Sequence, residues 1–402
     1  MIERALIFDA VRTPRGRPDE KGSLHGVKSI DLLAPLYGAI HQRNELKADA
    51  IDDVVLGCVT QMGEQGTNIA RLSALCAGLA DTVSGMTLNR FCTSGIDAVQ
   101  VGAMKVAVGS DQLVLAGGVE SSSRVPMFSD EGVWFKDPRV AQKTGFVHMG
   151  ISADLVATRA GLSREELDRY AEASQQKAAR ATESGAFKKS MVPVGAEGVH
   201  PLKHDELIRP QTTYEKLSAL PPAFAELGQA GGDRVALKRY PQLAEIDHVH
   251  HLGSSPALAD GASLVLMGNE VSAKAHGLKA RGRVLGIATT AVEPTLMLTG
   301  NVSATEKALE HAKLSMNQMD LVEINESFAA IPLHFQRHFD VPDEKLNVMG
   351  GAIAMGHPLG ATGGILVNTL LDTLEARGSR YGVATVCGGA GVASAVVIEA
   401  LN

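Results

Sequence analysis

Asp111-Gln-Leu-Val-Leu-Ala-Gly-Gly118 and Ser379-Arg-Tyr-Gly-Val-Ala-Thr-Val386 share one design, a polar entry followed by a short apolar run. Working outward, other segments pair across nearly the same distance along the chain. Asp53-Val-Val-Leu-Gly57 answers Asp320-Leu-Val-Glu-Ile324, and Ser94-Gly95 answers Thr362-Gly363, each pair of small residues standing before an apolar helix. The opening run Ala5-Leu-Ile-Phe-Asp-Ala10 has a partner in Val284-Leu-Gly-Ile-Ala-Thr289. Apolar strands resemble one another, so no single match means much. Agreement of the offsets argues for a duplicated domain.

Asp260-Gly-Ala-Ser-Leu-Val-Leu-Met267 resembles Gly391-Val-Ala-Ser-Ala-Val-Val-Ile398 at only about half that offset. The first half therefore carries an insertion between its fourth and fifth strands. The expected organisation is a first half over 1–120 plus 256–272, an inserted lobe over 121–255, and a second half over 273–402. Short apolar runs bounded by glycine read as strands buried on both faces. They alternate with helical patterns at Ile96–Val108 and Gly363–Glu375, and with a helix expected to open at the capping box Ser303-Ala-Thr-Glu306. Inside the lobe, Ser163-Arg-Glu-Glu166 should start a charged helix running toward Gly185. This alternation predicts α/β layers. The helices of the two halves should meet in the middle, with Ile96–Val108 and Gly363–Glu375 ending at one cleft.

The chain has 402 residues, 45% hydrophobic and 21% charged, which excludes disorder. Its net charge of −7 argues against a nucleic-acid partner. The four cysteines, Cys58, Cys76, Cys92 and Cys387, form no disulfide framework and read as reduced thiols, pointing to the cytoplasm. Met1-Ile-Glu-Arg-Ala-Leu-Ile-Phe-Asp-Ala10 looks like a first strand, not a signal peptide. No apolar stretch approaches the roughly 18 residues of a membrane span, and Glu399-Ala-Leu-Asn402 carries no lipidation or peroxisomal signal.

Chemistry is concentrated at glycine-flanked turns. Cys92, in Asn89-Arg-Phe-Cys-Thr-Ser-Gly95, stands at the mouth of the Ile96 helix, where unpaired N–H groups and the positive dipole end favour a thiolate. The competing reading is a small buried apolar residue. His357 lies in Gly350-Gly-Ala-Ile-Ala-Met-Gly-His-Pro-Leu-Gly-Ala-Thr-Gly-Gly364, the repeat counterpart of the Cys92 turn. Cys387 opens Cys387-Gly-Gly-Ala-Gly391 directly after a predicted strand, where open α/β sheets bind ligands. Glu323-Ile-Asn-Glu-Ser-Phe-Ala-Ala330 places Asn325 and Glu326 at another strand end, and an amide there can hold a water or a developing oxyanion. Two thiols, an imidazole and an amide suggest acyl transfer through a thioester. His334/His338 and His248/His250/His251 lack partner ligands at recognised spacing, so no metal is expected. No glycine run matches a Walker or dinucleotide loop.

Taken in order, Asn-Arg-Phe-Cys92-x-Ser-Gly, Asn325-Glu-x-Phe-Ala-Ala, Gly-Gly-Ala-Ile-Ala-x-Gly-His357-Pro-x-Gly-Ala-Thr-Gly and Cys387-x-Gly-x-Gly resemble the thiolase family, the acetyl-CoA acetyltransferases and 3-ketoacyl-CoA thiolases. The resemblance covers essentially the whole chain. It implies the duplicated α/β/α/β/α thiolase fold with an inserted loop domain. It also implies an acyl-cysteine on Cys92, His357 as the base that takes its proton, and Cys387 as the group that moves the proton at the α-carbon. One oxyanion hole would use His357 with a water held by Asn325, the other the N–H groups of Cys92 and Gly389. Coenzyme A enters as a substrate, with no permanently bound cofactor.

The resemblance assigns His148 and Met149 of the lobe to the pantetheine tunnel, Arg209 to the adenine nucleotide, and Phe224 and Ser255, with Phe328 of the second half, to the pocket. Met297 matches a methionine near the substrate. Lys188, Lys189, Lys203 and Lys216 are near enough in sequence to build a basic patch. The segment from Phe224 to Ser255 is longer than in compact biosynthetic members, and Ser254 competes with Ser255 for the matching place. Met297-Leu-Thr-Gly-Asn301 replaces the usual Met-Gly-x-Gly-Pro, and Phe91 and Thr93 vary beside the nucleophile. The family suggests acyl-CoA and CoA as ligands, a homodimer or homotetramer, and a possible partner subunit in β-oxidation. Two alternatives stay open: a ketosynthase-like condensing enzyme on the same fold, which would not need Cys387, and a catalytically silent thiolase-like subunit.

Overall fold

Each apolar run of the repeat forms a strand. The computed structural model describes residues 4–196 and 198–401. Met1, Ile2 and Glu3, where the expected first strand region opens, lie outside the described residues, as do Glu197 and Asn402. The first half runs β1 (Leu6–Arg12), α1 (Ala34–Asn44), β2 (Asp53–Gly57), α2 (Ile69–Cys76), β3 (Ser84–Leu88), α3 (Ser94–Val108) and β4 (Leu113–Ser121). Between β4 and β5 the chain forms α4 (Val133–Lys136), α5 (Pro138–Thr144), α6 (Met149–Ala160), α7 (Arg164–Glu183), α8 (Tyr214–Ser218), α9 (Ala225–Leu227) and α10 (Asp233–Arg239). Then follow β5 (Asp260–Gly268), α11 (Glu270–His276), β6 (Gly282–Ala291), α12 (Gly300–Ala312), β7 (Leu321–Ile324), α13 (Ala330–Phe339), α14 (Ala352–Met355), α15 (Leu359–Arg377), β8 (Tyr381–Cys387) and β9 (Val392–Ala400).

The strand order is β3-β2-β4-β5-β1-β6-β9-β8-β7. Read from the centre outward, β1-β5-β4-β2 is mirrored by β6-β9-β8-β7, which is the duplication in three dimensions. The two half-sheets are continuous through a short antiparallel junction, Leu6 to Arg283 and Ile7 to Gly282. Period two explains why these strands read as unbroken apolar runs. In β4, Leu113 and Leu115 face the outer layer of α1 and α2, while Val114 and Ala116 face the middle layer. That middle layer is α3 and α15, whose Val99, Ala103, Leu366 and Leu370 pack with strand residues of both halves, among them Ile7, Val265, Ala384 and Val396. On the far side, Ala304 and Ala308 of α12 and Phe335 of α13 cover Val322, Val383 and Ala395. The layers are helix, sheet, helix, sheet, helix.

The N-terminal ends of the two central helices touch through bare backbone. A Cβ on Gly95 would fall 2.5 Å from the Gly360 carbonyl oxygen, and one on Gly363 would fall 1.9 Å from the Ile96 nitrogen. Only glycine permits this crossing. Glu120 at the end of β4 secures it, accepting N–H bonds from Val59 at 2.9 Å, Thr60 at 3.1 Å and Gly360 at 3.0 Å. The turns carrying Cys92 and His357 both leave from this point.

The helix expected to open at Ser303 starts one turn earlier. Gly300 fits against Ala393, where a Cβ would come to 2.9 Å, so the chain enters α12 there. Ser303 is then interior and donates back to the Gly300 carbonyl at 3.1 Å. The Ser163–Glu166 capping box is present on α7, and the chain leaves that helix through Gly185 at φ +73°. Asp205 ties the inserted segment to β1, accepting both guanidinium nitrogens of Arg12 at 2.8 and 2.9 Å, with both side chains buried.

Candidate active site

The Cys92 turn is strained and held. Phe91 adopts φ +50°, a conformation that costs energy and persists only where the surroundings impose it. Asn89 accepts the Phe91 N–H at 2.8 Å and donates to the Val59 carbonyl at 2.9 Å. Ser94 donates to the Phe91 carbonyl at 2.6 Å, and Thr93 to Asp97 at 2.6 Å. Cys92 itself is half-buried, one residue before the Thr93 cap of α3. Burial pushes its thiol up to about 12, with Cys387 and Glu120 adding to the effect. The N–H groups of Cys92 and Gly389 pull the other way and lose. The thiolate expected from the helix terminus is thus not the resting state, because desolvation outweighs the dipole.

His357 is set up as a proton acceptor. Its Nδ1 lies 2.7 Å from the Thr362 hydroxyl, and that hydroxyl donates to the Pro358 carbonyl at 3.2 Å. Thr362 therefore accepts from Nδ1–H, which leaves Nε2 with a free lone pair. Nε2 is buried with no hydrogen-bond partner. Burial, then the charge of Arg15, hold the ring down to about 3, so it is neutral. Arg15 is anchored on the Gly356 carbonyl at 2.9 Å.

Cys387 ends β8, buried, with Sγ 3.3 Å from the Ser327 hydroxyl. Ser327 accepts from Asn325 Nδ2 at 2.8 Å, and Asn325 Oδ1 is buried without a partner. Burial raises the Cys387 thiol to about 11, against the Ser327 bond. The two thiols belong to one site, since a Cβ on Gly388 would stand 3.3 Å from the Cys92 nitrogen and 3.4 Å from the Phe91 Cβ. A cavity of about 70 Å³ is walled by Cys92, Gly389, Met149, Phe91, Trp134, Phe135 and Leu359, among others. His357 and Cys387 are not among its lining residues, although each is two residues along the chain from one that is, Leu359 and Gly389.

Among the lobe residues, His148 caps α6, its Nδ1 accepting from Gly150 N–H at 3.1 Å, and burial lowers its proton affinity. An aromatic row runs on from it, His148 to Phe224 at 5.5 Å and Phe224 to Phe328 at 5.8 Å. Ser254 is fully buried, whereas Ser255 is half-open; both donate to the His251 carbonyl. Arg209 is exposed, and Met297 is fully buried at φ +55° in the second-half core. Of the residues assigned to CoA or substrate only Met149 lines the Cys92 cavity; His148, Arg209, Phe224, Ser255, Met297 and Phe328 do not. Lys189 pairs with Glu375 of α15, and Lys216 donates to the Gln211 carbonyl, so the four lysines are not a single patch of free cations. Ser327 and Thr362 are not among the residues expected from sequence, although each lies in the Asn325 or His357 motif, where a hydroxyl close to an amide or imidazole is the signal that marks it.

The residues of the chain match the thiolase N-terminal domain over 5–232 and the thiolase C-terminal domain over 278–400. The chain is 38% identical to a beta-ketoadipyl-CoA thiolase of Escherichia coli, over 99% of this chain and 100% of that one. It is 39% identical to a 3-ketoacyl-CoA thiolase of Vibrio vulnificus, with the same coverage.

The chain belongs to the thiolase family.

Human mitochondrial 3-ketoacyl-CoA thiolase has the same architecture, with a TM-score of 0.88 at 31% identity and full coverage of both chains. As a thiolase the protein is an acyltransferase working on CoA thioesters. No helix among the described residues is long and apolar enough to cross a membrane.

The histidines of this thiolase's long Phe224–Ser255 segment all face carboxylates. His250 donates to Asp154 at 2.7 Å, and its Nε2 accepts from Ala330 N–H at 3.3 Å, which buttresses the Asn325–Ala330 turn. His251 meets Asp168 at 2.6 Å. His248 joins α6 to α10 through Asp154 at 2.8 Å and Asp233 at 3.1 Å. The Asp154 bond, with Asp233 adding to it, raises His248 to about 9 against burial. Unfolded, the ring titrates near about 6.5. The folded state holds that proton more tightly, so the contribution is full below about pH 6.5 and is lost as pH rises through about 9. His248→Gln should therefore lower the melting temperature by several degrees at pH 6 and by much less at pH 10. Circular-dichroism melts at the two pH values check this, and an equal loss at both would rule out an ionic tie.

Proposed function

We propose that this thiolase cleaves 3-ketoacyl-CoA with CoA to acyl-CoA plus acetyl-CoA, and runs the Claisen condensation in reverse, through an acyl-cysteine on Cys92. The Cys92 sulfur attacks the C3 carbonyl while its proton passes to His357 Nε2. The N–H groups of Cys92 and Gly389 are suited to receive the oxyanion. The C2–C3 bond then breaks, the acyl group stays on Cys92, and the C2 carbanion of the acetyl-CoA unit takes a proton from Cys387. Incoming CoA gives its thiol proton to the Cys387 thiolate and its sulfur to the acyl carbon, and the departing Cys92 sulfur takes back the proton held on His357, restoring both cysteines. Asn325, with an unpaired buried oxygen, would hold a water beside His357.

The observation that carries this reading is the buried, unpartnered Nε2 of His357, fixed as an acceptor by Thr362. Cys387, with its own hydroxyl partner, favours a thiolase over a decarboxylating condenser that has no use for it. The inserted segment over 121–255 is the proposed CoA-binding lobe, with His148, Met149, Arg209, Phe224 and Ser255 along it and Phe328 and Met297 contributed by the second half. Coenzyme A is a substrate and no cofactor stays bound. A homodimer or homotetramer in the cytoplasm suits four free cysteines and the family's habits. The test is CoA-dependent loss of 3-ketoacyl-CoA absorbance across short, long, branched and ring-bearing acyl groups. No loss with any of them would sink the reading.

A further inference from the structure

Two hollows lie on either side of one aromatic pair. The Cys92 cavity of about 70 Å³ has room for two or three water molecules at about 30 Å³ each. An acetyl-sized group fills it, and a longer acyl group must run on past its walls. Trp134 is such a wall, with its ring 5.3 Å from Phe91 and edge-on to Phe146 at 4.7 Å. Phe146 in turn lines a cleft of about 790 Å³ between α5, α10 and the loop of Glu293, Pro294 and Thr295.

That cleft is basic although the chain is acidic. Lys143, Arg234, Lys238 and Arg239 line it. Arg239 pairs with Glu293 at 3.2 Å, whereas Lys143, Arg234 and Lys238 have no acidic partner among the described residues. Glu293 is already committed, accepting the Tyr240 hydroxyl at 2.7 Å and the Thr295 and Leu296 N–H groups at 3.0 Å. Asp233 is taken by His248, and Asp130 is exposed at the rim of the Cys92 cavity.

Between the two hollows sits an unsatisfied donor. Trp134 Nε1 is buried with no hydrogen-bond partner, and such groups are rare enough to need a reason. A Cβ on Gly389 would lie 3.1 Å from Trp134 Cζ3, the corner of the indole diagonal to Nε1. The N–H therefore occupies the ring edge away from Gly389.

We propose that Trp134 N–H and the cations Lys143, Arg234 and Lys238 form a carboxylate subsite, so that the favoured 3-ketoacyl-CoA carries an acyl group ending in a carboxylate. This rests on Cys92 being the acylated nucleophile. A plain alkyl end would leave the indole donor unpaired and meet charge with methyl. A carboxylate satisfies the donor and meets the cations in charge-assisted contacts. Sites built to pair a polar group discriminate more strongly than apolar walls do.

The test compares kcat/KM for thiolysis of 3-oxoadipyl-CoA and 3-oxohexanoyl-CoA, equal in carbon count and different only at the far end. The native enzyme should favour the carboxylate substrate by about tenfold or more. Arg234→Ala with Lys238→Ala should bring that ratio down by about tenfold, and Trp134→Phe, which keeps the ring and removes the donor, by several-fold. A native ratio near one overturns the subsite while leaving the thiolase reading intact. Equal losses on both substrates also overturn it, since they would assign the cleft to the CoA common to both. Turnover of neither, with no acyl label on Cys92 from acetyl-CoA, overturns both readings together.

Discussion

Cys92→Ser should abolish acyl-enzyme formation and lower turnover by at least about a thousandfold, with the fold unchanged. The substitution exchanges sulfur for oxygen in a turn already fixed by Asn89, Thr93 and Ser94, so the loss is chemical. Even the native thiol is pushed up to about 12 by burial, and in the proposed mechanism it reacts because His357 takes its proton as the bond forms. A hydroxyl is a far weaker acid and nucleophile in the same place, while His357, held near 3, is a weak base in the resting site. Together they cannot generate an alkoxide. Incubation with labelled acetyl-CoA followed by mass spectrometry of the peptide holding residue 92 reads this directly. Label that persists on the variant would move the nucleophile elsewhere.

Much of this site was legible in the sequence because its turns are built from glycine. Glycine at 95, 360 and 363 is a sequence signal and also the reason that α3 and α15 can touch, so the pairing of the Cys92 and His357 turns could be read before the structure. The strands were legible because both faces of β4 and β8 are buried, which removes the polar alternation that blurs edge strands. What could not be read depends on residues remote along the chain. The start of α12 was misplaced because Gly300 is drawn into the helix by Ala393, a tertiary contact. The charge state of Cys92 was misjudged because a local dipole was weighed without the burial that dominates it. His248, His250 and His251 stood as an unexplained cluster because their partners Asp154, Asp168 and Asp233 are scattered across the lobe. The wall made by Trp134 and Phe146 joins two segments that carry no common motif.

The second large effect separates the two thiols. Cys387→Ser should retain acylation of Cys92 by acetyl-CoA while lowering thiolysis and condensation by about a hundredfold to ten-thousandfold, the range for losing a positioned acid or base. The reason lies in what each sulfur touches. Cys92 has the Gly389 N–H beside it, and with His357 as its proposed base it needs nothing from Cys387 to attack a thioester. Cys387 is buried and faces Ser327, itself held by Asn325, and in the proposed mechanism it moves a proton and does not bond to carbon. A thiol near about 11 gives up and takes back a proton far more readily than a serine hydroxyl, whose alkoxide is too basic to form in this site, so handling the α-proton in both directions calls for sulfur. Two measurements divide the steps: acyl labelling of Cys92, expected to survive, and washout of deuterium from C2 of acetyl-CoA, expected to stop. Washout at the native rate would show that some other group handles the α-proton. Loss of labelling along with washout would instead show that the two sulfurs act as one unit, and the division of labour between them would have to be abandoned.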